Sequence, residues 1–169
     1  MTEKSARFGL AVVLPAIIAA AGFVPMLAID NLPDRFASHF DGSGRPDGSM
    51  SLTQLAVTTG VMMAIGLVFT IGTALWRNPL PQLVAPLAAG TGAFVAAMAA
   101  AIAATTVINQ RNLTDFNDAE LSPLTLVIVI GGAIVAATFA GWLAKALPTK
   151  SDGTPVGVKP TLDLSLIHI

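Results

Sequence analysis

Cysteine is absent from the 169 residues. That absence removes disulfides, thiolate nucleophiles and cysteine-based metal sites, and it leaves the redox compartment open. Histidine occurs only at His39 and His168, too few in one chain for a histidine-rich metal site or a catalytic triad. Charge is scarce as well. Asp, Glu, Lys and Arg make up 11% of the chain, against roughly 25% in soluble domains. A formal net charge of -1 offers nucleic acid no general attraction, and no basic run marks a footprint for it. What remains is apolar: 54% of the residues are hydrophobic and the mean hydropathy is +0.74, a balance that argues against a water-soluble globule.

Four long runs contain no Asp, Glu, Lys, Arg or His: residues 8–28, 53–76, 84–108 and 124–144. About 20 mostly apolar residues suffice for a spanning helix, and each run reaches that length. Pro15, Pro25 and Pro86 fall within these runs or at their ends. Membrane helices accept such interruptions where neighbours re-satisfy the backbone, and Pro15 predicts a kink. The expected fold class is therefore all-α, an integral membrane bundle of four transmembrane helices arranged as two helical hairpins, with a long extracytoplasmic first loop.

Charge sets the expected orientation. Lys4 and Arg7 precede the first run, Arg77 separates the second from the third, and Lys145, Lys150 and Lys159 follow the fourth. The other two connections hold Arg35, Arg45 and Arg111 against Asp30, Asp34, Asp41, Asp47, Asp115, Asp118 and Glu120. Positive residues stay on the cytoplasmic side during insertion, which predicts both termini inside. Trp76 and Trp142 then fall at inner helix ends, a depth that indole rings favour. The expected division is a cytoplasmic N-terminus (1–7), a first membrane hairpin (8–76) with its outer loop at 29–52, a cytoplasmic loop (77–83), a second membrane hairpin (84–144) and a cytoplasmic tail (145–169). A cleaved signal peptide is the rival reading of the first run. That run is long for an apolar signal region of about 7–15 residues, and cleavage would leave an odd number of helices.

Lipid gives apolar helices no hydrophobic drive to associate, so close backbone approach must hold a bundle together. Small residues recur every fourth position as Ala88, Gly92, Ala96, Ala100 and Ala104 in the third run, Gly132, Ala136 and Ala140 in the fourth, and Ala56, Gly60 and Ala64 in the second. These stripes predict a compact bundle, a homo-oligomer face, or both; membrane helices rich in Ala and Gly also show such spacing without either role.

The stretch NLPDRFASHFDGSGRPDGS, residues 31–49, is the long polar passage of the first half. Its tip is turn chemistry: Gly42, Gly44 and Gly48 permit positive φ, while Asp41, Ser43 and Asp47 can bond nearby backbone amides. Asp41, Ser43 and Asp47 also have the oxygen-rich spacing of calcium loops, with His39 as a nitrogen donor. The helix–loop–helix calcium pattern nevertheless fails, because the bidentate Glu is missing and Pro46 intrudes. No metal or cofactor is expected. An unperturbed histidine titrates near about pH 6.5, which makes His39 a candidate pH-sensitive group. NLPDRF at Asn31 and NLTDFN at Asn112 give a faint likeness between the two outer segments.

Leu32, Pro33, Asp34, His39, Phe40, Gly44, Pro46, Asp47 and Gly48 together resemble the motif of domain-of-unknown-function family 1648, which reads approximately LP-(D/E)-x-(I/V)-P-x-H-(F/W)-x-x-x-G-x-P-D-G. The resemblance covers about residues 12–72. One departure is Ala37, where the family commonly has proline, and it predicts a looser local turn. The resemblance implies a bacterial plasma-membrane protein with this loop between two transmembrane helices, related to an Sdp toxin immunity protein. It implies no catalysis. Carried over by position, the candidate residues are Pro33, Asp34, His39, Phe40, Gly44, Pro46, Asp47 and Gly48, with a structural role favoured over ligand binding.

The tail LPTKSDGTPVGVKP reads as a flexible linker. The closing LSLIHI resembles translated adapter read-through, which implies that the natural chain continues past about Asp163 into a cytoplasmic domain. The alternative is a short apolar tail at the membrane surface.

Three function classes follow. A sensory, immunity or regulatory membrane protein, whose outer loop meets an extracellular peptide or toxin, is the leading expectation. A small transporter or channel subunit is the alternative; carriers normally place ionisable residues within the bilayer, and the four runs have none. An enzyme using Asp34, Asp41, Asp47 and His39 ranks last, because turns engage the same residues and no nucleophile with an adjacent base is evident. The chain is not expected to be an enzyme. The expected partners are the lipid bilayer, a second copy through the small-residue faces, and an extracellular peptide or toxin; nucleic acid is not expected.

Overall fold

The computed structural model describes residues 1–149; the expectations for the tail beyond Thr149, His168 among them, lie outside the described residues. Among the described residues, four helices are long and apolar enough to cross a membrane: α1 Glu3–Ala28, α2 Leu52–Leu75, α3 Val84–Gln110 and α4 Pro123–Ala144. At 1.5 Å per residue, the shortest spans about 33 Å, enough for a hydrocarbon layer of roughly 30 Å. The protein is a multi-pass membrane protein with two helical hairpins, as its composition predicts.

Caps set the helix boundaries. Thr2 accepts a hydrogen bond from the Ser5 amide at 3.2 Å, so α1 starts at Glu3, ahead of the apolar run itself. Ser51 and Gln54 form a reciprocal capping box at the start of α2, at 3.2 and 2.8 Å. Pro123 stands in the first turn of α4, where its missing N–H is harmless.

Just ahead of Pro15, where a kink is expected, the helix widens into a π-helical turn over Gly9–Val13. Leu14 donates its N–H to the Gly9 carbonyl, five residues back. A proline has no N–H and its ring crowds the carbonyl four residues earlier, so the backbone widens just ahead of it.

Helix α3 is the hub, touching α1, α2 and α4 along its length, whereas α2 and α4 hardly meet. At the α2–α3 crossing two glycines lie face to face. A Cβ on Gly66 would sit 2.5 Å from the Gly92 carbonyl oxygen and 2.6 Å from the Ala96 nitrogen, and a Cβ on Gly92 would run into the Gly66 carbonyl. The backbones therefore touch without intervening side chains, which is how lipid-embedded helices gain dispersion contact.

The stripe expected on α3 faces the core: Gly92, Ala96 and Ala100 are buried. On the other two helices the expected stripes are displaced. The buried face of α2 includes Leu55, Thr59, Met63, Gly66 and Thr70, with Ala64 exposed; on α4 it includes Val129, Ala133 and Ala140, with Gly132 exposed. A strict four-residue step drifts about 40° around the helix each time, so a buried face alternates steps of three and four.

Arg7 fastens the end opposite the 29–52 connection. Its guanidinium donates to the carbonyls of Ala74 and Trp76, the latter at 2.8 Å, and it pairs with Glu3 at 2.8 Å. The cation thereby meets the unpaired carbonyls and negative dipole end of α2. Trp76 and Trp142 are exposed, and Phe139 stacks on Trp142 with ring centroids 5.8 Å apart.

Candidate functional site

The polar stretch between α1 and α2 forms an antiparallel hairpin, β1 Phe36–Phe40 and β2 Pro46–Met50. Strands were not expected here, because β2 (PDGSM) is built of residues that sheets disfavour. The pairs are Phe36–Met50, Ala37–Ser49, His39–Gly48 and Phe40–Pro46. One extra residue bulges from each strand, Ser38 and then Asp47.

The tip is held by Asp41. One carboxylate oxygen accepts from the Ser43 amide at 2.8 Å, the Ser43 hydroxyl at 2.7 Å and the Arg45 amide at 3.0 Å. The Ser43 hydroxyl, followed by the Arg45 amide, lowers the Asp41 pKa from its ordinary value of 3.8, because these donors favour the charged form. Gly44 has φ +81°, a conformation that residues with a Cβ rarely adopt. Gly48 serves a different need: a Cβ there would lie 3.1 Å from the Cβ of His39 across the ladder.

Two contacts pin the hairpin to the bundle. Phe36 is fully buried and packs with Met26, Leu55, Ala103 and Val107 between the helix ends. Ala37, also buried, donates its N–H to Gln110 Oε1 at 2.7 Å and accepts from Gln110 Nε2 at 3.0 Å. The turn expected to be loosened by alanine at this position is thus clamped. Sequence reasoning passed over Gln110, which reads as an ordinary polar residue at a helix end beside Asn109. Its only signal is that an amide can match both hydrogen-bonding groups of one strand residue.

Of the family-motif residues, Pro33 is buried, Phe40, Gly44, Pro46 and Gly48 are half-buried, and Asp34, His39 and Asp47 are exposed. His39 Nδ1 and Asp47 Oδ1 lie 2.9 Å apart, with 78% and 48% of their side chains exposed. Arg35 braces β2 through the Ser49 hydroxyl at 2.8 Å and carbonyl at 3.0 Å. Asp41 and Ser43 meet at the tip, whereas Asp47 pairs with His39. Among the described residues no group of three or more His, Cys, Asp or Glu side chains is placed to hold a metal ion.

The α3–α4 connection closes the same end of the molecule. Asn31 and Asn112, the first residues of the two similar segments, both have positive φ, 57° and 68°, and the Asn112 amide donates to the Asn31 carbonyl at 2.9 Å. Asp115 caps a short 3₁₀ turn at Phe116–Asp118. Asn109 donates to the Thr125 hydroxyl at 2.9 Å, joining α3 to α4.

A cavity of about 370 Å³ opens under the hairpin, between β1 and the hairpin-side halves of α3 and α4. Met98, Ile102, Val129 and Ile130 line its depth, and Ser38, Asn109, Gln110 and Glu120 bring polar groups to it. A polar cleft of about 710 Å³ adjoins it between the hairpin tip and residues 117–121, sharing Glu120 and Leu121. The cavity combines apolar depth with a few polar groups beneath the exposed hairpin face.

Residues 10–64 match the family model described as a domain of unknown function (DUF1648). The match runs from the π turn of α1 through both strands into the middle of α2. No curated protein and no solved structure matches the chain.

Proposed function

We propose that this protein is a bacterial plasma-membrane sensor or immunity protein, with both termini cytoplasmic, whose hairpin meets an extracellular peptide or toxin. The observation that carries the reading is the double attachment of the hairpin to the bundle. Phe36 and Gln110 tie it to the side and the end of α3, the helix on which the others pack. A ligand that shifts the hairpin therefore bears on the hub of the membrane domain. His39 and Asp47, paired on the exposed face and not engaged in packing, are the groups available to such a ligand.

The reading is of a binding protein, without catalysis. A carrier finds less support, because the buried Thr70 and Thr73 hydroxyls bond helix carbonyls and Gln110 is engaged by Ala37. A homo-oligomer would use the α4 face at Gly131 and Gly132, where an added Cβ meets none of the described residues within 4 Å.

The test is survival of cells expressing the chain when challenged with secreted peptides of competing strains. His39→Ala and Asp47→Asn should each abolish protection or signalling at unchanged membrane abundance. Full protection by both variants would refute the role given to the hairpin face.

A further inference from the structure

The cavity beneath the hairpin has a chemistry different from the exposed strand face. Its walls in the depth are methyl and methylene groups from Met98, Ile102, Val129 and Ile130. At the hairpin side the lining includes Phe40, which is half-buried, and Glu120, which is exposed. Among the described residues that line it, none is basic. Arg45 stands in the adjoining cleft, with Asp118 and Glu120 as the acids there, so the combined mouth carries net negative charge. The surroundings reinforce this, since the two connections at this end hold seven acidic residues against three arginines.

An aromatic face and a carboxylate together are what recognises an organic cation: the ring quadrupole and the anion both attract it, and neither demands a hydrogen-bond donor. Apolar depth below selects a hydrocarbon tail. We propose that this cavity binds a single-tailed amphiphile with a cationic head, its tail between α3 and α4 and its head between Phe40 and Glu120. The site lies behind β1 and goes beyond the peptide reading of the hairpin's exposed face, so His39 and Asp47 take no part in it.

The experiment places the full chain in phosphatidylcholine nanodiscs and titrates dodecyltrimethylammonium, with dodecyl sulfate and dodecyl maltoside as probes of the same tail length. The expected result is saturable one-to-one binding of the cationic probe, above its partition into protein-free discs. Glu120→Gln should weaken that binding roughly fivefold, the scale of one partly exposed ion pair, and leave dodecyl maltoside unaffected. Thr106→Trp, which fills the cavity from α3, should remove the saturable component, while His39→Ala should leave it intact. Equal binding of the cationic and anionic probes overturns the proposal, as does a Glu120→Gln variant that binds like the parent. Loss on His39→Ala would instead assign the binding to the hairpin face.

Discussion

The side-chain amide of Gln110 and the backbone of Ala37 face each other as neighbouring strands do, with N–H to oxygen at 2.7 Å and nitrogen to carbonyl at 3.0 Å. Gln110 is 4% exposed and Ala37 1%, so neither peptide group of Ala37 has water as a substitute. The hairpin thus gains a third, one-residue strand supplied by a helix. Gln110→Leu leaves both groups of Ala37 without a partner. The expected loss is about 2 kcal/mol, the cost of burying unpaired polar groups, with faster hydrogen exchange at the Ala37 amide. Asn109→Leu, which breaks a bond at the exposed rim, should cost clearly less in the same unfolding measurement.

The Gly66–Gly92 crossing makes an opposite demand, for the absence of a side chain. Gly66→Ala puts a methyl carbon 2.5 Å from a carbonyl oxygen and 2.6 Å from a backbone nitrogen. Backbone of a packed helix cannot rotate aside as a side chain can. Overpacking of this kind costs roughly 1–3 kcal/mol. Gly132→Ala should be nearly neutral, since none of the described residues lies within 4 Å of its added carbon. Unfolding of both variants in bicelles checks this, and equal stability of the two would show that α2 and α3 do not touch there.

The four spans were legible because a bilayer imposes one rule on every helix, a long uncharged run, and caps such as Ser51 moved the ends only slightly. The hairpin was not legible as strands. Pro46, Asp47 and Gly48 give β2 no apolar alternation, and its pairing depends on the Asp41 turn and on Gln110, which lies 73 positions from Ala37. The motif residues lie along the hairpin and its approach, where Pro33 is buried, His39 meets Asp47 and Gly48 makes room for His39. What no local pattern contains is which helix end would receive Phe36. The displaced stripes on α2 and α4 have a simpler cause, a spacing of four read onto a helix that repeats at 3.6.

The hairpin tip should respond to acid. Asp41 has a folded-state pKa below its ordinary value of 3.8 because the Ser43 hydroxyl and the Arg45 amide bond the carboxylate. A lowered carboxyl pKa contributes order that is complete above the ordinary Asp range and is lost as pH falls through the lowered value. The amide resonances of Ser43 and Arg45 should therefore hold steady down to about pH 4 and move below it. Asp41→Asn should flatten that profile. A transition centred above the ordinary value would contradict the geometry of the turn.

The proposed orientation follows from charge and is open to direct chemistry because the chain has no cysteine of its own. Arg7 caps α2 at one end of the bundle, where Arg77 and Lys145 also lie; the acidic hairpin and the 3₁₀ turn stand at the other. Basic residues resist translocation far more than acidic ones, so the Arg7 end should remain in the cytoplasm. Single cysteines at Ser43 and Asn78, both exposed and outside the helices, report on the two ends. A membrane-impermeant maleimide applied to intact cells should label Ser43→Cys fully and Asn78→Cys only after lysis. Labelling of Asn78→Cys alone in intact cells would invert the topology and move the hairpin out of reach of any extracellular ligand.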